Sequence, residues 1–178
     1  MGRSPYDFYP TPSSAIKPLL EKMNFHGVHI YEPCAGDGAI VKEIKNMFPD
    51  AYVSANELDT NHEANLSLSG ADQITWTNFL TTKDNGADII ITNPPFSLAQ
   101  EFLEYTFENY SAPTVIMLLR LNFLASQKRH DFWKKYPPTH LYVLSKRPSF
   151  TGSGTDSQDY AWFVWERKNK DTRIEVIK

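Results

Sequence analysis

The chain has little cysteine. Cys34 stands alone among 178 residues, which excludes an internal disulfide framework and any zinc site built on several thiolates. Long apolar runs are missing as well: nothing approaches the roughly 20 residues that cross a bilayer, and the first dozen residues carry neither a basic stretch nor the apolar core of a secretory signal. A cytoplasmic location is therefore expected. The chain lacks repeats, low-complexity tracts and any linker rich in proline, glycine or serine, and at about 150 residues per domain its length suits one core, so residues 1–178 are read as a single domain. The five histidines, at 26, 29, 62, 130 and 140, have no supporting cysteines or carboxylates at metal-ligand spacing. They read as surface or core residues, and no metal is expected.

What the chain does have is ordinary globular composition, 41% hydrophobic and 22% charged, which is enough apolar material to fold. Its 18 basic and 21 acidic residues leave a net charge of −3, an unpromising total for binding a polyanion. The distribution differs from the total. Residues 120–147 hold Arg120, Lys128, Arg129, Lys134, Lys135, Lys146 and Arg147 against the single acid Asp131, so this window carries +6 and the rest of the chain −9. Such polarity creates a local field that suits a polyanion, although a solvated helix face gives the same pattern.

Short β-branched or aromatic runs at 28–31, 52–56, 74–77, 88–92, 114–119, 140–144 and 160–165 read as seven strands. Between them, 39–47, 61–69, 98–109 and 124–136 have helical length and composition, with Pro49 and Pro113 at helix exits and Ser97 placed as an N-cap. Strand and helix in alternation predict a parallel sheet covered on both faces, of the Rossmann-like α/β class. The runs Ile89-Ile90-Ile91 and 115–119 are continuously apolar, as central strands buried on both sides must be. The last two strands are joined by the polar loop 149–159 without a crossover helix, which predicts an antiparallel C-terminal hairpin. The polar tail 168–178 is expected to fray. In such a sheet ligands bind beyond the carboxyl ends of the strands, so the loops that follow them are where chemistry is sought.

The first strand runs into Glu32-Pro33-Cys34-Ala35-Gly36-Asp37-Gly38. Glycines at 36 and 38 allow a sharp turn and the close approach of a ligand to the backbone. Val41 stands where a dinucleotide fingerprint has its third glycine, and acids at 32 and 37 suit a cation or hydroxyls better than a pyrophosphate. Glu57, about 20 residues on, occupies the place of an acid that binds ribose hydroxyls; an exposed acid leading into a helix is the equal alternative. The fourth strand ends at Asn93-Pro94-Pro95-Phe96. Two prolines hold the chain extended, so the Asn93 amide oxygen and the Pro94 carbonyl can converge as acceptors for an exocyclic amine, with the Phe96 ring as a surface for a planar base.

Together Tyr9-Pro10-Thr11-Pro12, the turn from Glu32 to Gly38 and Asn93-Pro94-Pro95-Phe96, in that order, resemble the S-adenosylmethionine-dependent DNA N6-adenine methyltransferases, including small phage-type enzymes, in a gamma-like motif order. The resemblance spans residues 6–165; the N-P-P-F tetrad is its specific element, and the glycine turn marks only the wider superfamily. It implies a Rossmann-like class I methyltransferase, seven-stranded and mostly parallel, with S-adenosylmethionine as cofactor and no separate domain for target recognition. It further implies that Tyr9, Thr11 and Pro12 lie at the methionine end of the cofactor, with Glu32, Ala35, Gly36 and Gly38 around it. Glu57 would hold the ribose and Leu58 would pack on the adenine. Asn78-Phe79 occupies the place of the family's acid and Phe, so Asn78 would accept from the adenine amine without charge assistance. Asn93, Pro94, Pro95 and Phe96 would form the catalytic tetrad, Phe150 a second aromatic for the target base, and Lys128, Arg129 and Arg147 the grip on the phosphate backbone.

Several alternatives remain. A cytosine C5 enzyme needs a nucleophilic cysteine after the fourth strand, whereas Cys34 lies in the cofactor turn and reads as small buried filler. An RNA adenine methyltransferase would share the tetrad and the pocket. A protein glutamine methyltransferase favours Tyr where this chain has Phe96, and a non-catalytic binding module would have little need for Asn93 beside Glu32, Gly36 and Gly38.

Overall fold

All four residues of β4 (Ile89–Thr92) are buried, and in the computed structural model they alternate between two cores. Residues 8–150, 154, 156–169 and 171–178 are described; positions 151–153 and 155 of the polar loop, and the start of the resembling stretch at 6–7, lie outside the described residues. Ile89 and Ile91 join the core under α1 (Ser13–Leu20) and α2 (Ala39–Met47), which contribute Ile16, Leu19, Ile40 and Ile44. Ile90 turns to the opposite face, among Tyr31, Phe102 and Tyr110. In β5 (Thr114–Arg120), Ile116 and Leu118 face the first core while Val115, Met117 and Leu119 meet Leu103 of α4 (Ala99–Asn109) and Phe132 of α5 (His130–Lys135). A strand that is apolar at every position can give neither face to water, so helices cover both.

The remaining strands are β1 (His29–Glu32), β2 (Tyr52–Glu57), β3 (Gln73–Trp76), β6 (His140–Leu144), β7 (Tyr160–Glu166) and β8 (Arg173–Ile177), with α3 (Glu63–Ser67) between β2 and β3. They form one sheet in the order β3-β2-β1-β4-β5-β7-β6-β8. The first five strands are mutually parallel; β7 lies between β5 and β6, antiparallel to both. Strand order reverses between β1 and β4, so their carboxyl ends, Glu32 and Asn93, flank the crevice where this topology binds ligands.

The sheet has eight strands rather than the expected seven. The tail expected to fray supplies β8, which pairs parallel with β6. Its side chains gave little signal because four of its five residues are exposed and only Ile177 is buried; backbone bonds from Arg173 N–H to Thr139 O and from Ser145 N–H to Ile177 O, both 2.8 Å, hold it in place. The helix expected at 61–69 is a 3-10 turn (Thr60–His62) and then α3, started early because the Asp59 side chain accepts from Asn61 N–H. The one expected at 124–136 contracts to α5 behind 3-10 turns. Ser97 is not the cap of α4: it lies inside a 3-10 turn (Phe96–Leu98), and α4 starts at Ala99. Among the described residues no helix is long and apolar enough to cross a membrane.

Helix α1 is an addition to the helices read from the sequence, where Pro12 and Pro18 argue against one. Pro12 stands before the first turn, with its carbonyl accepting from Ala15 N–H at 2.8 Å, and Pro18 is tolerated because tertiary packing buries Ala15, Ile16, Leu19 and Leu20. The fully buried Trp162 of β7 clamps the helix, donating Nε1–H to Ala15 O at 2.7 Å. Trp162→Phe, which removes that donor and leaves a void where the larger indole was buried, should destabilise the protein by about 1–3 kcal/mol in urea unfolding.

Candidate active site

A cavity of about 370 Å³ opens at the carboxyl ends of β1, β2 and β4. Its floor is the turn after β1. Gly36 and Gly38 adopt φ of +53° and +82°, and Gly38 N–H closes the turn on Ala35 O at 2.8 Å. A Cβ at Gly36 would come within 2.3 Å of the Phe8 ring, and one at Gly38 within 2.5 Å of Ser69 Cβ. Positive φ and crowding together require glycine at both positions.

Asn56 ties three strand ends together. Buried at the end of β2, it donates Nδ2–H to Pro33 O at 3.1 Å and Thr77 O at 3.0 Å, and its Oδ1 accepts from Thr75 Oγ1 at 2.8 Å. The neighbouring Glu57 is thereby aimed at the β1 turn, where Oε2 accepts from Gly36 N–H at 2.7 Å and Oε1 from Leu58 and Asp59 N–H at 2.8 and 2.9 Å. Three backbone donors fix the carboxylate; Oε1 has both lone pairs engaged, and Oε2 keeps one for a ligand hydroxyl. Leu58 forms part of the wall and is 52% exposed. The exposed Asn78 uses its Oδ1 to cap the following 3-10 turn through Leu80 N–H at 3.1 Å, and Phe79 is buried against Tyr31 and Phe102.

Among the described residues, two buried acceptors on residues lining this cavity have no partner: Glu32 Oε2 and Asn93 Oδ1. Glu32 is 1% exposed, and burial, reinforced by the carboxylates of Glu57 and Asp37, pushes its carboxyl well above the usual range against the pull of Val41 N–H. Burial likewise raises the Cys34 thiol well above its ordinary value, with Glu57 and Glu32 adding to the shift, so it stays protonated and is a poor nucleophile. Cys34 is half-buried in the cavity wall rather than fully buried filler.

At the other end, Asn93 Nδ2 donates to Thr11 Oγ1 at 3.0 Å, leaving Oδ1 as the unpartnered atom. Pro94 and Pro95 carry the chain to Phe96, which joins an aromatic cluster: Tyr9 lies near-parallel at 6.0 Å, Tyr160 at 5.7 Å and Phe150 at 6.1 Å. The Arg120 guanidinium sits 4.5 Å from the Phe96 centroid.

The structure therefore brings thirteen of the residues singled out from sequence into one cavity wall: Tyr9 and Thr11; Glu32, Ala35 and Gly36; Glu57 and Leu58; Asn78 and Phe79; and Asn93 to Phe96. Six stand elsewhere. Pro12 starts α1 and Gly38 starts α2. Phe150, expected to meet a target base, is a core residue at 9% exposure, 5.1 Å from the Tyr160 ring; an apolar side chain backing an aromatic cluster gains more from burial than from a place at the rim. Arg147 is paired with Asp159 at 2.7 Å, Arg129 folds onto Phe123 with Nε–H on its carbonyl at 2.7 Å, and Lys128 is exposed; none lines the cavity. Sequence reading missed Phe8 and His62, which line the cavity with rings 4.1 Å apart, and Asn56, whose polar character at a buried strand end was the available signal. Among the described residues no group of three His, Cys, Asp or Glu side chains could hold a metal ion.

No family model and no curated protein matches the sequence. Solved structures do. An RNA methyltransferase from Salinibacter ruber, crystallised with S-adenosyl-L-homocysteine, aligns at 16% identity over 88% of this chain and 92% of its own, with a TM-score of 0.60. The 23S rRNA methyltransferase ErmE aligns at 16% identity over 93% of this chain and 71% of its own, at 0.67. A dimethyladenosine transferase from Plasmodium falciparum aligns at 11% identity over 88% and 62%, at 0.63. The chain has the methyltransferase fold. At these identities the likeness establishes architecture, and the methyltransferase-fold cavity must be judged on its own side chains.

Glu32 provides a direct test. A carboxyl with a raised folded pKa binds its proton more tightly in the native state than in the unfolded one, so stability falls as pH rises from the ordinary carboxylate range, about pH 4, towards the raised value. Glu32→Gln should flatten that fall and raise the Tm of the ligand-free protein near neutrality, as thermal unfolding at pH 4 to 8 would show. Wild-type protein that instead gains stability across this range would contradict the buried, unpaired carboxyl.

Proposed function

We propose that this chain transfers a methyl group from S-adenosylmethionine to the exocyclic N6 amine of adenine in nucleic acid. The observation that carries this reading is the Asn93 amide: its nitrogen is held by Thr11, and its oxygen is buried in the cavity without a partner. An unpaired buried acceptor costs about 1–3 kcal/mol, a cost that an amine proton would relieve. The second orphan, Glu32 Oε2, fits the same reading, because a buried carboxyl facing an aminoacid-type ammonium and a sulfonium would ionise and be stabilised by them. The residues present thus suit the cofactor, with Glu57 Oε2 offering a lone pair to a ribose hydroxyl and Leu58 an apolar face to adenine.

When bound, the cofactor supplies an electrophilic methyl carbon. The protein's task is alignment. Asn93 Oδ1 and the Pro94 carbonyl would each accept one amine proton, drawing the nitrogen lone pair out of conjugation and stabilising the positive charge that develops on nitrogen. Phe96 offers a ring to the base, which must leave its helix to reach the cavity. After transfer the nitrogen is cationic and loses a proton to water without a basic side chain. His62 packs on Phe8 and faces Asp59 at 4.0 Å, on the β2 side of the cavity, and takes no part in this scheme.

The polymer has two readings. The motif order resembles enzymes acting on DNA, whereas the three structural neighbours described above act on RNA or, by name, form dimethyladenosine. The neighbours support RNA as the first polymer to test, with DNA second. Incubation with tritiated S-adenosylmethionine and, separately, RNA, single-stranded DNA and duplex DNA, followed by nucleoside mass spectrometry, should yield N6-methylated adenine from one polymer. Label on no polymer, or on a different atom, defeats the reading.

Two variants divide the site into its parts. Asn93→Ala should lower kcat by about 100-fold or more while calorimetric affinity for S-adenosylmethionine changes little; activity above one tenth of wild type would remove Asn93 from the centre of the scheme. Glu57→Ala should weaken cofactor binding by about 10-fold or more, the loss of charged hydrogen bonds. Unchanged affinity would withdraw the ribose assignment.

A further inference from the structure

Arg120 ends β5, and its placement follows from register. Thr92, the last residue of β4, pairs with Met117, so β5 continues three residues further and carries Arg120 level with the Asn93–Phe96 loop. Across the other edge its antiparallel partner is Tyr160. The guanidinium lies 4.5 Å from the Phe96 centroid, its Nε–H donates to Tyr160 Oη at 3.1 Å, and Tyr160 O–H donates to Asp156 Oδ2 at 2.8 Å. Burial pushes the Tyr160 hydroxyl up to about 12, so the link between Arg120 and Asp156 is a neutral phenol. Arg120 is oriented, but no carboxylate touches it: among the described residues it forms no ion pair.

The other cations of the basic window compare poorly. Arg147 is matched by Asp159, Lys135 reaches Glu108 at 3.6 Å, and Arg129 directs Nε and Nη2 to the carbonyls of its own turn. Arg120 alone of these stacks on a residue of the cavity wall. Its half-buried position holds a charge whose direct partner is a neutral hydroxyl, an arrangement that an arriving anion would complete. A planar guanidinium can keep its face on an aromatic ring while its edge nitrogens hold a phosphate by two parallel hydrogen bonds, which a lysine cannot do.

We propose that Arg120 forms a phosphodiester-binding subsite at the mouth of the cavity, gripping a backbone phosphate of the nucleotide whose base enters beside Phe96. This rests on the nucleic-acid reading above. It assigns the phosphate contact nearest the chemistry to Arg120 in place of Lys128, Arg129 and Arg147.

The test is the salt dependence of oligonucleotide binding, measured by anisotropy on protein saturated with S-adenosylhomocysteine, using whichever polymer the wild type methylates. Each phosphate contact contributes about 0.7 to the slope of log affinity against log salt on single strands and about 0.9 on duplex DNA. Arg120→Gln should lower the slope by that amount and weaken binding about tenfold near 0.1 M salt, while Arg120→Lys retains the slope. A wild-type slope in Arg120→Gln would mean that the guanidinium only props the Phe96 ring, and would overturn the subsite. Should Arg120→Gln fail to fold, phenylglyoxal modification of wild-type protein, mapped by mass spectrometry, decides the matter: protection of Arg120 by oligonucleotide supports the subsite and its absence overturns it. Wild-type protein that neither binds nor methylates RNA or DNA defeats the nucleic-acid reading itself, and the subsite with it; methylation combined with an unchanged slope defeats the subsite alone.

Discussion

The hydrogen bond from Asn93 Nδ2 to Thr11 Oγ1, 3.0 Å long between residues 82 positions apart, decides what the cavity can do. An amide offers a donor and an acceptor, and which one faces a substrate depends on what holds the other. Thr11 occupies the nitrogen, which leaves the oxygen as the unpaired acceptor among the described residues. Thr11 is itself buried at 7% exposure in the segment that enters α1, and α1 is anchored by Trp162 from β7. The orientation of one side-chain amide therefore depends on a chain of contacts running from the sheet's antiparallel half, through the first helix, to the end of β4.

The other half of the cavity is organised by charge held in unfavourable places. Glu32, Asp37, Glu57 and Asp59 all line it. Glu57 is relieved by three backbone N–H groups, but Glu32 Oε2 receives nothing, and its carboxyl is held protonated by burial and by its acidic neighbours. A fold selected only for stability would place an apolar residue at this strand end, since every other residue of β1 pairs or packs without such a conflict. A cationic ligand would resolve the conflict, so that affinity and native-state strain would be the same interaction seen with and without its partner.

Much of this was legible in the sequence because the informative residues are local. Unbroken apolar runs such as Ile89-Ile90-Ile91 can only be central strands, and glycines at 36 and 38 answer to backbone conformations that other residues reach at a cost. The tetrad at 93–96 announces itself through two adjacent prolines. What escaped was settled by tertiary contacts. α1 forms across two proline positions because its apolar face is buried, and β8 forms from an exposed, charged tail because β6 needed a hydrogen-bonding partner. Phe150 is buried directly behind the Phe96 ring, 6.1 Å from it, instead of lining the cavity, a difference that no spacing rule could register. Asn56 is the instructive omission: a polar residue at a position that a parallel strand buries has to be fully hydrogen-bonded, and its five bonds join the ends of three strands.

Net charge was the weakest guide, and the structure explains why. The acids that make the total negative include those lining the cavity on the β1 and β2 side, while Arg120 stands at the β4 and β5 side beside Phe96. A polyanion approaching the acidic side meets repulsion, and one approaching beside Phe96 meets the Arg120 guanidinium. Such opposed fields reject wrong orientations as well as favouring the right one. In the proposed scheme the carboxylates would serve a small cationic ligand and the guanidinium a backbone phosphate, and the two roles would stay compatible because the sheet separates them across the strands that frame the crevice. A single summed charge of −3 averages over this division and conceals it.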